Sequence, residues 1–258
     1  MDHIKIIFFD IDGTLIDMNT HRITSVAQQM LKALQTKGIL VCLATGRGPV
    51  TIPDMGVTFD ACVTYNGSLC FTAAGETVFS NPHAPENVQK LIRNAAALGR
   101  PVSIATRECL AANGYDQDLA DYYTIAHQTL TVTDNFEEIA RGEVYQLMLG
   151  CRPGDFDAIL SGVEGAAIAA SWDRAADVIP SGGGKGRGVS HILKHFGIPK
   201  EASMAFGDGD NDLELCAAVG KGIAMGNASP RLKAVAHDIC GSITEDGIFH
   251  YLIRHGIL

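Results

Sequence analysis

Ile4-Lys5-Ile6-Ile7-Phe8-Phe9-Asp10-Ile11-Asp12-Gly13-Thr14-Leu15 decides the architecture. A strongly apolar run of strand length stops in acid, glycine and hydroxyl, which fits a buried strand entering a polar turn. From Thr24 to Lys37, Val26, Met30, Leu31 and Leu34 fall on one side of a helix, and Gly38 is a suitable stop. Ile39 to Ala44 reads as a second buried strand that ends in Thr45-Gly46-Arg47, and Ala61 to Tyr65 as a third that ends in Asn66-Gly67. Strand, helix, strand in this order predicts a right-handed parallel crossover.

The same pattern returns near the C-terminus. Gly188 to Phe196 reads as helix, and Ser203 to Phe206 as a short strand ending in Gly207-Asp208-Gly209-Asp210-Asn211-Asp212. Gly222 to Met225 is another strand, ending in Gly226-Asn227, and Ile248 to His255 a closing helix. Between these halves, Ala84 to Leu98 and Phe156 to Val163 have helical spacing, Glu143 to Leu149 is strand-like, and no strand ends in a comparable polar motif. The simplest parse is an α/β protein with a Rossmann-like parallel-sheet core formed by residues 1–80 and 180–258. A mixed α/β cap of residues 81–179 is inserted in it. Ser181 to Gly188 is glycine-rich and a candidate hinge.

Composition narrows the function classes. Across 258 residues, 47% are hydrophobic and 19% charged, enough apolar material for a core. The formal charge of -9 argues against nucleic acid or an anionic membrane surface as a partner. No run approaches the roughly 20 apolar residues of a membrane span. No secretory signal is evident. Cys42, Cys62, Cys70, Cys109, Cys151, Cys216 and Cys240 are scattered and form no C-x-x-C pair. A disulfide framework or zinc ribbon is not expected, and a reducing cytoplasm is.

In open parallel sheets, ligands bind beyond the carboxyl ends of the strands. Asp10, Asp12, Thr45, Asp208, Asn211 and Asp212 can therefore converge although they are distant in sequence. Four carboxylates in one crevice call for a hard cation with oxygen ligands, and Mg²⁺ suits a site completed by phosphate oxygen and water. Asp10 and Asp12 are a pair able to supply a nucleophile and a general acid. The Gly13-Thr14 turn aims backbone N–H groups at the same place.

Other motif readings fail. Asp208-x-Asp210-x-Asp212 begins like a calcium loop, but Leu213 and Val219 stand where that loop needs Gly and Glu. Gly184-Lys185-Gly186 lacks the Ser or Thr of a phosphate-binding loop. His191 and His195 have metal spacing on a helix without a third ligand, so a solvated face is the better reading. Trp172 is expected to pack, although its place near the cap boundary also suits a cleft wall.

Taken together, Phe8-Phe9-Asp10-Ile11-Asp12-Gly13-Thr14-Leu15, Leu43-Ala44-Thr45-Gly46-Arg47, Lys185 and Gly207-Asp208-Gly209-Asp210-Asn211-Asp212 resemble the four motifs of the haloacid dehalogenase superfamily. Tyr65-Asn66-Gly67 and Ala224-Met225-Gly226-Asn227-Ala228 are similar to its Cof-type sugar-phosphate phosphatase branch. The resemblance implies Mg²⁺-dependent hydrolysis of a small phosphate monoester through an aspartyl-phosphate. It makes Asp10 the nucleophile and Asp12 the acid that protonates the leaving oxygen and then activates water. Thr45, Gly46, Lys185 and Asn211 would serve the phosphate. Asp10, the Asp12 carbonyl, Asp208 and, through water, Asp212 would serve the metal. Arg47, Arg107, Tyr115, Arg174 and Asp177 are candidates for substrate contact, with ordinary surface positions as the plainer reading of the last four.

Two rivals remain open at this point. A phosphotransferase or phosphomutase would share the aspartyl-phosphate and differ in the acceptor. A metabolite-binding protein without turnover would bind and not react. A dinucleotide-binding oxidoreductase would need G-x-G-x-x-G where Asp10-Ile11-Asp12-Gly13 stands.

Overall fold

A computed structural model describes residues 4–125 and 128–258, with the side chains of residues 170 and 171 left aside. The chain divides into two compact units, one of residues 1–45, 53–79 and 184–258, the other of residues 46–52 and 80–183.

The first unit begins with β1 (Ile6–Phe9), α1 (Ser25–Thr36), β2 (Leu40–Ala44), β3 (Ala61–Thr64), β4 (Leu69–Thr72) and β5 (Thr77–Ser80). Thr24 caps α1 by accepting from Ala27 N at 3.0 Å. The second unit holds α2 (Pro85–Ala97), β6 (Val102–Ala105), β7 (Leu110–Ala112), α3 (Gln117–Ile125), α4 (Phe136–Ile139) and β8 (Gln146–Gly150). It continues with α5 (Phe156–Ile159), β9 (Ala166–Trp172) and β10 (Ala175–Pro180). The chain then returns to the first unit as α6 (Lys185–Phe196), β11 (Ser203–Gly207), α7 (Leu213–Ala218), β12 (Lys221–Ala224), α8 (Pro230–Val235), β13 (Asp238–Ile239) and α9 (Gly247–Arg254).

The sheet of the first unit runs in the order β13-β12-β11-β1-β2-β3-β4-β5. From β13 to β3 its neighbours are parallel, and β3 and β4 form an antiparallel pair that the sequence reading did not contain. β1 sits centrally, and all four of its side chains are buried, because the sheet is covered on both faces. Ile6 and Phe8 pack with Val189 and Ile192 of α6 and Leu215 of α7. On the other face, Phe206 meets the Tyr251 ring edge-on at 5.8 Å. Each such side chain contributes about 1.5–3 kcal/mol through burial. That gain lets the strand ends carry acids that would not support folding by themselves.

The second unit is a five-stranded antiparallel sheet in the order β7-β6-β8-β10-β9. Alternation sends Val102, Ile104, Leu147, Leu149, Ala176 and Val178 to one face, against Val88 and Leu91 of α2 and Phe136 of α4. Ser103, Gln146 and Asp177 are therefore on the opposite face, where α3 packs on β8 and β10. Two expected helix bounds change. Phe156 to Val163 is helical only to Ile159, and the expected helix from Gly188 already starts at Lys185. Half of the glycine-rich candidate hinge thus lies within α6.

Candidate active site

Asp10 follows β1 directly, and its N–H still bonds to Phe206 O at 3.0 Å, so it stands where β1 and β11 end side by side. The chain then folds back, with Leu15 N and Ile16 N donating to Ile11 O at 2.9 and 2.8 Å. Gly13 makes this possible. Its φ is +85°, and a Cβ there would stand 2.2 Å from Asp208 Oδ2. Thr14 Oγ1 donates to Asp208 Oδ1 at 3.1 Å, and Asn227 Nδ2 to Gly13 O at 2.8 Å. The turn after β1 is thereby fixed to the turns after β11 and β12.

Lys185 is the first residue of α6 and is buried. Its Nζ donates to Asp10 Oδ1 and to Asp212 Oδ1, each at 2.7 Å. The other Asp212 oxygen accepts from the N–H groups of Asp208 and Gly209 at 3.0 Å. Thr45, also buried, is joined to the adjacent turn through its carbonyl, which accepts from Asn66 N at 3.0 Å. Asn211 Nδ2 donates to Asn66 Oδ1 at 3.3 Å.

Charge explains the chemistry of this arrangement. Burial raises the Asp10 carboxyl well above the usual carboxylate range. Lys185 opposes that shift, and Asp212 and Asp208 add to it. Asp208 is pushed up to about 6, first by burial and then by repulsion from Asp212. The Lys185 ammonium is held in its charged form, because Asp10 and Asp212 outweigh the cost of burying it. One ammonium does not balance the three carboxylates of Asp10, Asp208 and Asp212, each of which offers an oxygen within 4.8 Å of the others. An all-oxygen donor set with surplus negative charge fits a hard divalent cation, and among the described residues it is the group that could hold a metal.

Asp12 is half-buried and close enough for its charge to act on Asp208. Gly46 and Arg47 belong to the second unit, where Arg47 Nη1 donates to Thr51 O at 3.0 Å. Of the other candidates in that unit, Arg107 is half-buried. Tyr115 is 65% exposed and donates to Gln117 Oε1 at 2.9 Å. Arg174 pairs with Asp118 and Asp121 and lies 4.1 Å over the Trp172 ring, which also stacks on Tyr122. Trp172 thus has a packing role. Asp177 is buried rather than on the surface. Burial pushes it up to about 7, against hydrogen bonds from Tyr122 and Gln146. His191 stacks on Phe79 at 4.0 Å and belongs to no metal-capable group among the described residues.

The sequence reading gave Thr14 only a backbone part and assigned no part in the site to the side chains of Thr14, Asn66 or Asn227. All three lie inside the quoted motifs, so the signal was the motif itself, without a partner to give each residue a task.

A mainly parallel sheet with helices on both faces, an acidic cluster beyond its central strands and a buried lysine bridging two of the acids define a Rossmann-like hydrolase. The chain belongs to the haloacid dehalogenase-like hydrolase family, whose model matches residues 7–252. It is 30% identical to YkrA of Bacillus subtilis (strain 168) over 262 residues, 98% of each chain. It is 27% identical to the HMP-PP phosphatase of Cronobacter sakazakii (strain ATCC BAA-894) over 258 residues, 95% of this chain and 93% of the other. The solved structure of the HAD subclass IIB sugar phosphatase BT4131 superimposes with a TM-score of 0.87 at 31% identity, over 98% of this chain and 100% of that one. In that company the chain is a phosphoric monoester hydrolase. No helix among the described residues is long and apolar enough to cross a membrane.

Proposed function

We propose that this phosphatase hydrolyses small phosphorylated metabolites, sugar phosphates foremost, through an aspartyl-phosphate on Asp10 and with Mg²⁺. The observation that carries the reading is Lys185 Nζ at 2.7 Å from both Asp10 and Asp212, with Asp208 in the same oxygen cluster. The substrate class draws support from the similarity to a sugar phosphatase and to HMP-PP phosphatase.

Asp10, Asp208 and the Asp12 carbonyl, with Asp212 acting through water, would hold Mg²⁺. The cation would offset the charge of the attacking carboxylate and of the phosphoryl oxygens. An Asp10 carboxylate oxygen attacks phosphorus in line as the ester P–O bond breaks, and Asp12 gives its proton to the departing oxygen. Asp12, now ionised, takes a proton from water. The resulting hydroxide attacks the aspartyl-phosphate, releasing inorganic phosphate and free Asp10. Thr45, Gly46, Lys185 and Asn211 hold the phosphoryl oxygens throughout.

On this reading residues 81–179 are the inserted cap, and residues 1–80 and 180–258 the core. The unpaired cysteines suit a reducing cytoplasm.

Phosphate release from an aryl phosphate, measured with Mg²⁺ and with EDTA in ¹⁸O-labelled water, tests the proposal. Release that requires the metal and carries one solvent oxygen into phosphate is the expected result. No release with any divalent metal would sink it.

A further inference from the structure

Asn66 lies in the turn after β3, where Tyr65, Asn66 and Gly67 all have positive φ, at 50°, 49° and 94°. A bulky residue such as Tyr65 rarely takes that conformation, and Asn tolerates it better than most. Gly67 allows the turn to press on the start of α6, because a Cβ there would stand 2.0 Å from Gly184 O.

Asn66 makes three contacts with three different segments. Its N–H donates to Thr45 O at 3.0 Å, and its carbonyl accepts from Gly184 N at 2.7 Å. Its Oδ1 accepts from Asn211 Nδ2 at 3.3 Å. Each segment brings a group placed at the phosphate: Thr45 itself, Lys185 next to Gly184, and Asn211. The Asn66 side chain is buried, and its Nδ2 has no hydrogen-bond partner among the described residues. A buried donor without a partner is costly, and folded proteins hold few of them. A turn that holds Tyr65 in a rare conformation and buries the unpaired amide of the next residue calls for a compensating role.

We propose that Asn66 is a positioning residue for phosphoryl transfer: its side chain sets Asn211, while its main chain fixes the distance of Thr45 and of the Lys185 end of α6 from that amide. The proposal rests on the phosphatase reading above and on Asn211 serving the phosphate. Asn66 itself touches no reacting atom and acts through Asn211. A turn residue that only satisfied the left-handed backbone would be replaceable by glycine without loss.

The test is a double-mutant cycle on the full chain, with aryl phosphate and Mg²⁺, reading kcat, KM and melting temperature. Asn66→Gly accepts the same backbone, keeps both main-chain bonds and removes only the amide. Its melting temperature should stay at or above that of the wild type, while kcat/KM falls about tenfold or more. In an Asn211→Ala background the same substitution should change kcat/KM less than about twofold, since the group it acts through is gone. Asn66→Ala runs through the same cycle, so that a folding defect in one variant does not decide the matter.

Full activity of Asn66→Gly beside an impaired Asn211→Ala overturns the positioning role and leaves the phosphatase reading intact. Additive losses overturn action through Asn211. Full activity of Asn211→Ala removes Asn211 from the site, and the proposal falls with it. Loss of the phosphatase reading itself would be seen separately, as absent turnover in the wild type.

Discussion

Lys185 and Asp10 are 175 residues apart in sequence and 2.7 Å apart in space, both in the buried interior of the first unit. The same ammonium holds Asp212, so one cation ties the first acidic turn to the last. Lys185→Met removes it and leaves Asp10 and Asp212 buried without compensation. Stability should drop by about 3–5 kcal/mol, as when one partner of a buried ion pair is deleted. Urea unfolding would measure this. An unchanged midpoint would show that the lysine does not anchor the cluster.

Asp10→Asn keeps an oxygen able to accept from Lys185 but replaces the proposed nucleophile with an amide. Phosphate release should fall to background while the melting temperature stays within a few degrees of the wild type. Retained turnover would exclude Asp10 from attack.

The oxygen cluster gives a prediction that does not depend on turnover. Mg²⁺ at a hundredfold excess over its dissociation constant should stabilise the protein by about 2.7 kcal/mol, because the unfolded chain lacks the site. Asp208→Asn should lose most of that thermal shift. A wild type unmoved by Mg²⁺ at millimolar concentration would count against the metal assignment.

Gly13 and Gly38 offer a matched pair. Both have positive φ, +85° and +79°, but a Cβ at Gly13 meets Asp208 while one at Gly38 meets none of the described residues within 4 Å. Gly38→Ala should cost only the backbone strain, about 1–2 kcal/mol. Gly13→Ala should cost more and should also weaken the Mg²⁺-dependent thermal shift, since Asp208 must move. Equal losses in the two variants would show that the close approach of Gly13 to Asp208 has no consequence.

The second unit carries two opposed titrations. Asp177 is raised from 3.8 to about 7, so its folded form binds the extra proton between those values. Its contribution is whole below about pH 4 and is lost as pH rises through 7. His83 is buried, with Nε2 against Val178 O at 3.2 Å, and burial lowers it from 6.5 to about 4. Its contribution is present above pH 6.5 and is lost as pH falls towards 4. The two slopes cancel over most of this window. Asp177→Asn removes one of the two opposed contributions. Asp10 and Asp208 of the first unit, whose carboxyls are also raised, act alike in both proteins, so the difference between variant and wild type isolates Asp177. The variant's advantage over the wild type should grow up to about pH 7 and then hold. Parallel curves for the two proteins would place Asp177 in a solvated site.

Much of this was legible because strand ends announce themselves. Ile6 to Phe9 and Ile39 to Ala44 are apolar on both faces, and each stops at a residue that cannot be buried without a purpose. The start of α6 was not legible. Gly184, Gly186 and Gly188 weaken helix propensity, so the sequence points to a later start. In the fold those glycines admit close neighbours, with a Cβ on Gly188 only 2.4 Å from Val63 Cγ1, and packing overrides propensity. Asn66 was visible as a turn residue, but its contact with Asn211 spans 145 residues and has no local signature. Asp177 read as a surface residue because nothing in Ala175 to Pro180 shows that Tyr122 covers it.

β1 lies in the middle of its sheet, yet its neighbour β11 comes from the last quarter of the chain. During synthesis, Ile6 to Phe9 must therefore wait with one hydrogen-bonding edge open until residues 203–207 leave the ribosome. Such an open apolar edge invites pairing with other chains. Until Lys185 and Asp212 arrive, Asp10 also has no ammonium beside it. The first unit can then neither close its sheet nor assemble its acidic centre, so its hydrolytic power should appear only at the end of folding and in one step.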